Sequence, residues 1–502
     1  MGARADVLGL EPHQPYRREE QMQWSVGVTV KRSWWDWVRR RQLITTGLLL
    51  LLCTLCPPVS HAQTHARCPG YYLSPQERIG INVAREGGKE ITDYAVEQLG
   101  AGWYLDYTWH DEPAHPATSA PPGTMAYLPM VRPLWFAEAM ATGQLTDTLT
   151  SRLGTAVRNN PGSSWLLGNE PDNQAQDNQL PDDYAIFYHT AYHVIKGLDP
   201  SAQIAIAPVT QVTPLRLRYL DAVLTAYETR YGMPAPVDIW TVHAYLLPED
   251  GGQEEGAAAS WGIGVPPGLT ARAGEARAFT PAQHDDLQLF AEQLITMRRW
   301  LAARGYRATP LYLTEYGILL SPQHGFDSER VRHFFLGAMA YLQQARDAAT
   351  GYPADENRLV QRWAWFSLNF YAFDSDPGVP EGLAGLNGNL FDHGSGDLTA
   401  LGTTFIDYGA RLHQRTVDLA MQRRAGTTPT LIVTNRGDAP ANGFRLRLWR
   451  DQQLVETVTI AATLLPHCGN QLALPLHWQV APTGTVAPLR IEAAAGPWPI
   501  CL

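Results

Sequence analysis

From about residue 78 onward, hydrophobic and polar positions follow two alternating patterns. Short β-rich runs cover 78–84, 100–107, 126–132, 163–170, 203–209, 238–245, 310–317 and 362–368. Between them lie stretches with apolar residues at three- and four-residue spacing, clearest over 182–198, 214–231, 281–304 and 328–348. Strand–helix alternation predicts parallel βαβ units. Eight such repeats predict an α/β fold of the closed (β/α)8 TIM barrel type rather than an open doubly wound sheet. No GxGxxG follows the first strand and no GxxxxGK[ST] occurs, which leaves a nucleotide-binding sheet without support.

After about residue 413 the helical period stops. Alternating runs at 430–434, 443–449, 454–460, 471–476 and 488–493 are separated by turn residues such as Asn435-Arg436-Gly437-Asp438. They predict a small C-terminal β-sandwich. It either binds carbohydrate or caps the barrel structurally. Its Trp449, Trp478 and Trp498 form no obvious row, which favours the structural role.

The N-terminus reads as an export segment. A basic flank (Lys31-Arg32, Arg39-Arg40-Arg41) precedes an apolar run from Leu43 to Cys56, and Pro57-Pro58 and Ser60-His61-Ala62 follow. Basic, apolar and small residues in that order mark a secretory signal. The run is shorter than the ~20 residues of a spanning helix, yet retention as a membrane anchor stays open. The expected organisation is therefore 1–62 signal or anchor, 69–412 barrel and 413–502 sandwich, on a secreted or cell-surface protein. Cys68, Cys468 and Cys501 would remain in the mature chain and allow one disulfide at most, with its pairing open.

Composition narrows the function classes. The 502 residues are 45% hydrophobic and 18% charged, ordinary for a packed protein. The net charge is −10, and residues 1–62 hold 8 basic and 5 acidic side chains, leaving 31 basic against 44 acidic beyond them. So acidic a body disfavours nucleic acid as a partner. No HExxH and no clustered Cys/His spacing appears, so neither a metal nor another cofactor is expected. Oligomeric state leaves no mark in the sequence.

In a barrel of this kind, active residues project from the C-terminal ends of strands. Glu170 closes the fourth predicted strand in Gly168-Asn169-Glu170-Pro171-Asp172, and Glu315 lies in the seventh, in Thr314-Glu315-Tyr316-Gly317. A Glu after a buried apolar run is costly to desolvate unless it has partners or a task. Two carboxylates facing one cavity suit glycoside hydrolysis, with ~5–5.5 Å between them for retention. Their mutual repulsion and burial are expected to keep one protonated near neutral pH.

These motifs resemble clan A (β/α)8 retaining glycoside hydrolases. The resemblance implies that Glu170 is the acid/base, that Glu315 is the nucleophile and that Asn169 bonds the sugar 2-hydroxyl. Val242-His243-Ala244-Tyr245 is similar to the clan's aromatic and His site beside the nucleophile. Gly102-Trp103-Tyr104, Leu128-Pro129-Met130 and Gly168 to Asp172 look most like the Asl1-like group, glycoside hydrolase family 128, whose members are endo-β-1,3-glucanases. Asn389-Leu390-Phe391-Asp392 looks like the closing segment of family 39-type barrels. The long loop 246–279 and the C-terminal domain depart from the compact form, and leave the sugar and the endo or exo mode open.

Other side chains carry two readings each. His243 is a core histidine or an orienter of the site. Tyr245 and Tyr316 pack or hydrogen-bond Glu315. Asp172 starts a helix or joins the site, and Arg132 pairs with a carboxylate or a sugar hydroxyl. Trp365 and Trp103 are barrel core or stacking platforms for sugar faces, as with less weight are Tyr104, Trp109, Trp135 and Tyr371. The rival to a retaining glycosidase is a catalytically silent carbohydrate-binding barrel at the cell surface, which would show a blocked cleft or carboxylates pinned in salt bridges.

Overall fold

The computed structural model describes residues 73–114, 125–249, 262–370, 387–412 and the strand-forming stretches between 419 and 501. The export segment, Cys68, Cys468, Tyr371, Trp478 and Trp498 lie outside the described residues, as do the side chains of Trp449 and Cys501.

Eight strands form where the apolar runs predict them: β1 (Ile79–Asn82), β2 (Trp103–Leu105), β3 (Ala126–Tyr127), β4 (Ser164–Leu167), β5 (Gln203–Ile206), β6 (Trp240–His243), β7 (Leu311–Tyr316) and β8 (Arg362–Trp365). All pair in parallel, in a six-stranded central sheet of order β3-β2-β1-β8-β7-β6 and a two-stranded sheet β4-β5. Two parallel bridges, Met130 with Leu166 and Ala205 with Ile239, join the edges of the pair to the two edges of the larger sheet. The strands are buried on both faces, as parallel strands covered by helices must be.

The helices that cover them are α1 (Leu145–Asn159), α2 (Pro181–Leu198), α3 (Pro214–Tyr231), α4 (Leu287–Ala303), α5 (Ser328–Gln344) and α6 (Ala400–Leu412). Local chemistry sets their ends. Thr213 caps α3 by accepting from Arg216 N, Pro214 opens it, and Gly232 at φ 69° closes it. The helix expected from residue 281 starts at Leu287, because Asp286 takes the cap position and accepts from the backbone N–H groups of Gln288 and Leu289. The one expected to reach 348 stops at Gln344, where Asp347 instead accepts from Ala349 N and Thr350 N in a local turn. Helix α1, amphipathic but not singled out by the sequence pattern, packs Leu149, Leu153 and Val157 inward.

Strand alternation divides the side chains into two cores. Trp103, Leu105, Leu128, Met130, Leu166, Ala205, Ile239, Tyr312 and Ala364 fill one cluster between the strands. Tyr104, Trp165, Trp240, Trp363 and Trp365 belong to the larger core shared with the helices. Gly80 belongs to the first arrangement, because an added Cβ would lie 2.3 Å from the Trp103 indole.

At the C-terminal end, β9 (Leu419–Arg424), β10 (Thr430–Asn435) and β13 (Gln471–Pro475) form one antiparallel sheet. β11 (Ala441–Arg450), β12 (Gln453–Leu464), β14 (Leu489–Ala494) and β15 (Ile500–Cys501) form a second. Leu419, Leu431 and Val433 of the first share a core with Phe444, Leu446 and Ile460 of the second. Arg436, just after β10, pairs with Glu356 in the loop before β8. β9 was not expected from the sequence.

Candidate active site

Glu170 sits three residues beyond the end of β4. The chain leaves that strand through Gly168 at φ 112°, a conformation that favours glycine, and Glu170 itself takes the left-handed region at φ 47°. Such conformations cluster where surrounding contacts hold a functional group in place. Glu315 lies within β7, on the side of that strand opposite Tyr316. His243 ends β6 between the two carboxylates. Its Nδ1 is 2.7 Å from Glu170 Oε1 and its Nε2 is 3.5 Å from Glu315 Oε1. One donor atom from each of the three residues lies within 4.8 Å of the others.

Each carboxylate has its own partners. Asn173 Nδ2 donates to Glu170 Oε2 at 2.8 Å. Tyr107 Oη donates to Glu315 Oε1 at 2.8 Å and Tyr245 Oη to Oε2 at 2.9 Å. Behind them, Arg132 Nε donates to Asp177 Oδ1 at 2.6 Å, and Asp177 Oδ2 accepts from Asn169 N at 2.6 Å. Asp172 is wholly buried against Arg216, with Nη1 2.9 Å from Oδ2, and Arg216 Nε also reaches Glu249 at 3.0 Å. Arg216 thereby ties the loop carrying Glu170 to the loop after β6.

The electrostatics follow from burial and these contacts. Burial alone would raise the Glu170 carboxyl, but the hydrogen bond and charge of His243 outweigh it and the net direction is down. Burial raises Glu315, with help from the Glu170 charge and against His243 and the two phenols, and it stays above its ordinary value. Burial depresses His243, yet the neighbouring carboxylates Glu315 and Glu170 turn the net direction up. Burial also carries the Tyr107 and Tyr245 phenols well above their usual range, so both remain donors. The sequence led us to expect one raised carboxyl without saying which. Here it is Glu315, because His243 is hydrogen-bonded to Glu170 and takes up the positive charge facing it. Desolvation lifts Asp172 and Asp177 to about 6, despite Arg216 and Arg132.

The structure brings Glu170, Glu315, His243 and Tyr245 together, and places Asn169 beside them with its buried Oδ1 unpartnered. Five other expected contacts are corrected. Trp103 points into the cluster between the strands, where its Nε1 donates to Arg78 O. Trp365 and Tyr316 turn outward to the helices; their rings meet edge-on at 5.3 Å, Trp365 Nε1 donates to Gly388 O, and Tyr316 Oη to Met339 Sδ. Strand alternation instead sends Ala364 to the inner cluster, and the half-buried Phe366 packs against Phe370. Asp172 and Arg132 support the site from behind through the ion pairs above rather than facing it. Tyr104 stacks on Tyr127 at 4.9 Å, and Trp109 on Trp135 at 5.4 Å.

Sequence reasoning missed Tyr107, Asn173 and Asn82. Asn82 ends β1 with its Oδ1 3.1 Å from Tyr107 Oη. The available signal was position: Asn82 is a polar residue late in an apolar run, and Tyr107 ends the second one. Two carboxylates and an imidazole also form a donor set that could hold a divalent cation. In this site, however, His243 Nδ1 is already engaged with Glu170 and both Glu315 oxygens with the two phenols, and His243 Nε2 faces Glu315 without a hydrogen bond.

Residues 82–258 match the family model described as glycosyl hydrolase catalytic core. That span holds Glu170 and His243, and it agrees with the resemblance to glycoside hydrolases read from the strand-end motifs. No curated protein matches the chain. Similar solved structures include a GH128 subgroup I endo-β-1,3-glucanase from Amycolatopsis mediterranei in complex with laminaritriose, 16% identical, covering 66% of this chain and 99% of its own at a TM-score of 0.38. A GH128 subgroup II endo-β-1,3-glucanase from Sorangium cellulosum is 16% identical over 66% of this chain and 97% of its own, TM-score 0.37. A curdlan-specific GH128 subgroup III exo-β-1,3-glucanase from Blastomyces gilchristii, in complex with glucose, is 14% identical over 66% and 99%, TM-score 0.36.

Proposed function

We propose that this chain is a retaining glycoside hydrolase, exported from the cell, that cleaves β-glycosidic bonds in a poly- or oligosaccharide, with β-1,3-glucan the first substrate to test. The observation that carries the reading is the spacing of the carboxylates. One oxygen of Glu170 lies within 4.8 Å of one of Glu315, whereas inversion needs ~6.5–9.5 Å to admit water and retention ~5–5.5 Å. Among the described residues the only cationic partner of either carboxylate is His243, which can also give up its proton. The glycosyl hydrolase match supports the same class.

In this mechanism Glu315 attacks the anomeric carbon while the Glu170–His243 pair supplies the proton to the leaving oxygen. Glu170 then takes a proton from water, which attacks the glycosyl ester. The two phenols hold Glu315 as a carboxylate aimed at the sugar. Behind the site we read the eight strands as a (β/α)8 barrel, supported by the bridges at both edges of the β4–β5 pair. The N-terminal apolar run supports export, and the pairing of Arg436 with Glu356 supports a structural role for the C-terminal sheets.

The test is hydrolysis of β-1,3-glucan, mixed-linkage β-glucan, xylan, mannan and galactan by wild type, Glu170→Ala and Glu315→Ala, with the first-formed anomer read by NMR. We expect a β-anomer from wild type and loss of turnover in both variants. An α-anomer would overturn retention, and binding without turnover on every glycan would overturn the enzyme reading.

A further inference from the structure

The two oxygens of Glu315 are held differently. Oε2 accepts from Tyr245, whose hydroxyl has that one acceptor among the described residues. Oε1 accepts from Tyr107, whose hydroxyl has a second acceptor, Asn82 Oδ1, at 3.1 Å. The Asn82 amide is fixed in the orientation this requires, because its Nδ2 donates to Thr314 O at 3.0 Å and to Trp365 O at 3.3 Å. Tyr107 is fixed as well, by a left-handed backbone at φ 62° that directs it inward from the end of β2. A phenol has one proton to donate, so Tyr107 can serve Glu315 or Asn82 fully, but not both.

Attack on the anomeric carbon uses a lone pair of one carboxylate oxygen, and a strong donor on that oxygen opposes the attack. A donor on the other oxygen does not, because that oxygen becomes the ester carbonyl and still accepts. We infer that Oε1 of Glu315 is the attacking oxygen and that Tyr107 passes its hydrogen bond from Oε1 to Asn82 Oδ1 as the glycosyl ester forms. The inference rests on the glycosidase reading. In the first step the Oε1–C1 bond forms, the C1–O bond to the leaving group breaks, and the departing oxygen takes its electron pair and the proton from Glu170. In the second step water adds to C1, gives a proton to Glu170, and the Oε1–C1 electron pair returns to Oε1. The Tyr107 proton stays on Tyr107 throughout; only its acceptor changes. Its return to Oε1 stabilises the departing carboxylate, so Tyr107 acts mainly on breakdown of the ester, whereas Tyr245 acts on both steps.

The test compares Tyr107→Phe with Tyr245→Phe. Glycosyl-enzyme is formed with 2,4-dinitrophenyl 2-deoxy-2-fluoro-β-laminaribioside and its decay followed by intact-protein mass spectrometry, alongside steady-state kinetics. Loss of a hydrogen bond to a charged group corresponds to about 10–100-fold. We expect Tyr107→Phe to lengthen the adduct lifetime about tenfold or more, with kcat and KM falling together and kcat/KM nearly held. Tyr245→Phe should lower kcat and kcat/KM alike. Asn82→Ala, which removes the acceptor, should lower kcat/KM. Thermal unfolding of each variant separates these effects from loss of fold. If wild type turns over and Tyr107→Phe leaves the adduct lifetime unchanged, or matches Tyr245→Phe, the handover is wrong and the glycosidase reading survives. If wild type neither turns over a glycan nor forms an adduct, both fail together.

Discussion

The two ends of the same eight strands have opposite chemistry. Within the strands, Trp103, Leu105, Met130, Tyr312 and Ala364 fill the space between them with apolar volume. At the finishing ends, Glu170, His243, Glu315, Tyr107 and Tyr245 fill it with groups that hydrogen-bond to one another. One end holds its buried polar groups in closed pairs, such as Arg78 with Asp355. At the other, polar groups fill the space and most are partnered, with His243 Nε2 and Asn169 Oδ1 left open. Stability and chemistry are thus separated along the strand axis, and substitutions at the two ends should fail in different assays.

The sharpest test of that separation pairs Glu170→Ala with Trp103→Ala. Removal of a general acid/base should cost ~10²–10⁴-fold in turnover with little change in unfolding midpoint. Trp103→Ala should cost about 3–5 kcal/mol in denaturant unfolding, while the remaining folded fraction keeps its kcat. Next in size is Arg216→Met, which strands Asp172 and Glu249 in the interior. Breaking a buried pair costs about 3–5 kcal/mol, and the loop carrying Glu170 should loosen, so turnover falls too. Smaller is Gly80→Ala, whose Cβ would meet the Trp103 indole at 2.3 Å; overpacking of this kind costs about 1–3 kcal/mol and should leave the pH profile of turnover unchanged.

The pH profile itself reports the functional end alone. On the proposed mechanism Glu315 must be ionised to attack, and its carboxyl is raised, so the acid limb should lie above the ordinary carboxylate range. The Glu170–His243 pair must hold a proton and His243 is raised, so the basic limb should lie above the ordinary imidazole range. Turnover should therefore be lost as pH falls through the first and as it rises through the second. His243→Asn should move the basic limb most, and Trp103→Ala should move neither. The smallest effect on turnover is expected at Trp365→Phe. Its ring faces the helices, so kcat should hold, while stability falls by about 1–3 kcal/mol as the Gly388 carbonyl loses its donor.

The strands and most helices were legible in the sequence because burial forces a period. An apolar run bounded by turn residues has few other places to go. Glu170 and Glu315 were legible for the converse reason: a carboxylate at the end of such a run violates the pattern and calls for a partner. What the pattern could not give was the side to which each strand-end side chain turns. Glu315 and Tyr316 are neighbours in sequence but face opposite ways, because a register shift between Leu313 and Tyr316 breaks the alternation that Tyr312 begins, and only pairing with neighbouring strands shows it. Nor could it show that Tyr107, itself in contact with Asn82, meets the Glu315 carboxylate far along the sequence, or which of the two carboxyl groups is the raised one. Burial patterns are local and survive in one dimension. Hydrogen-bond partners and electrostatic fields depend on distances through space, and those the tertiary structure alone decided.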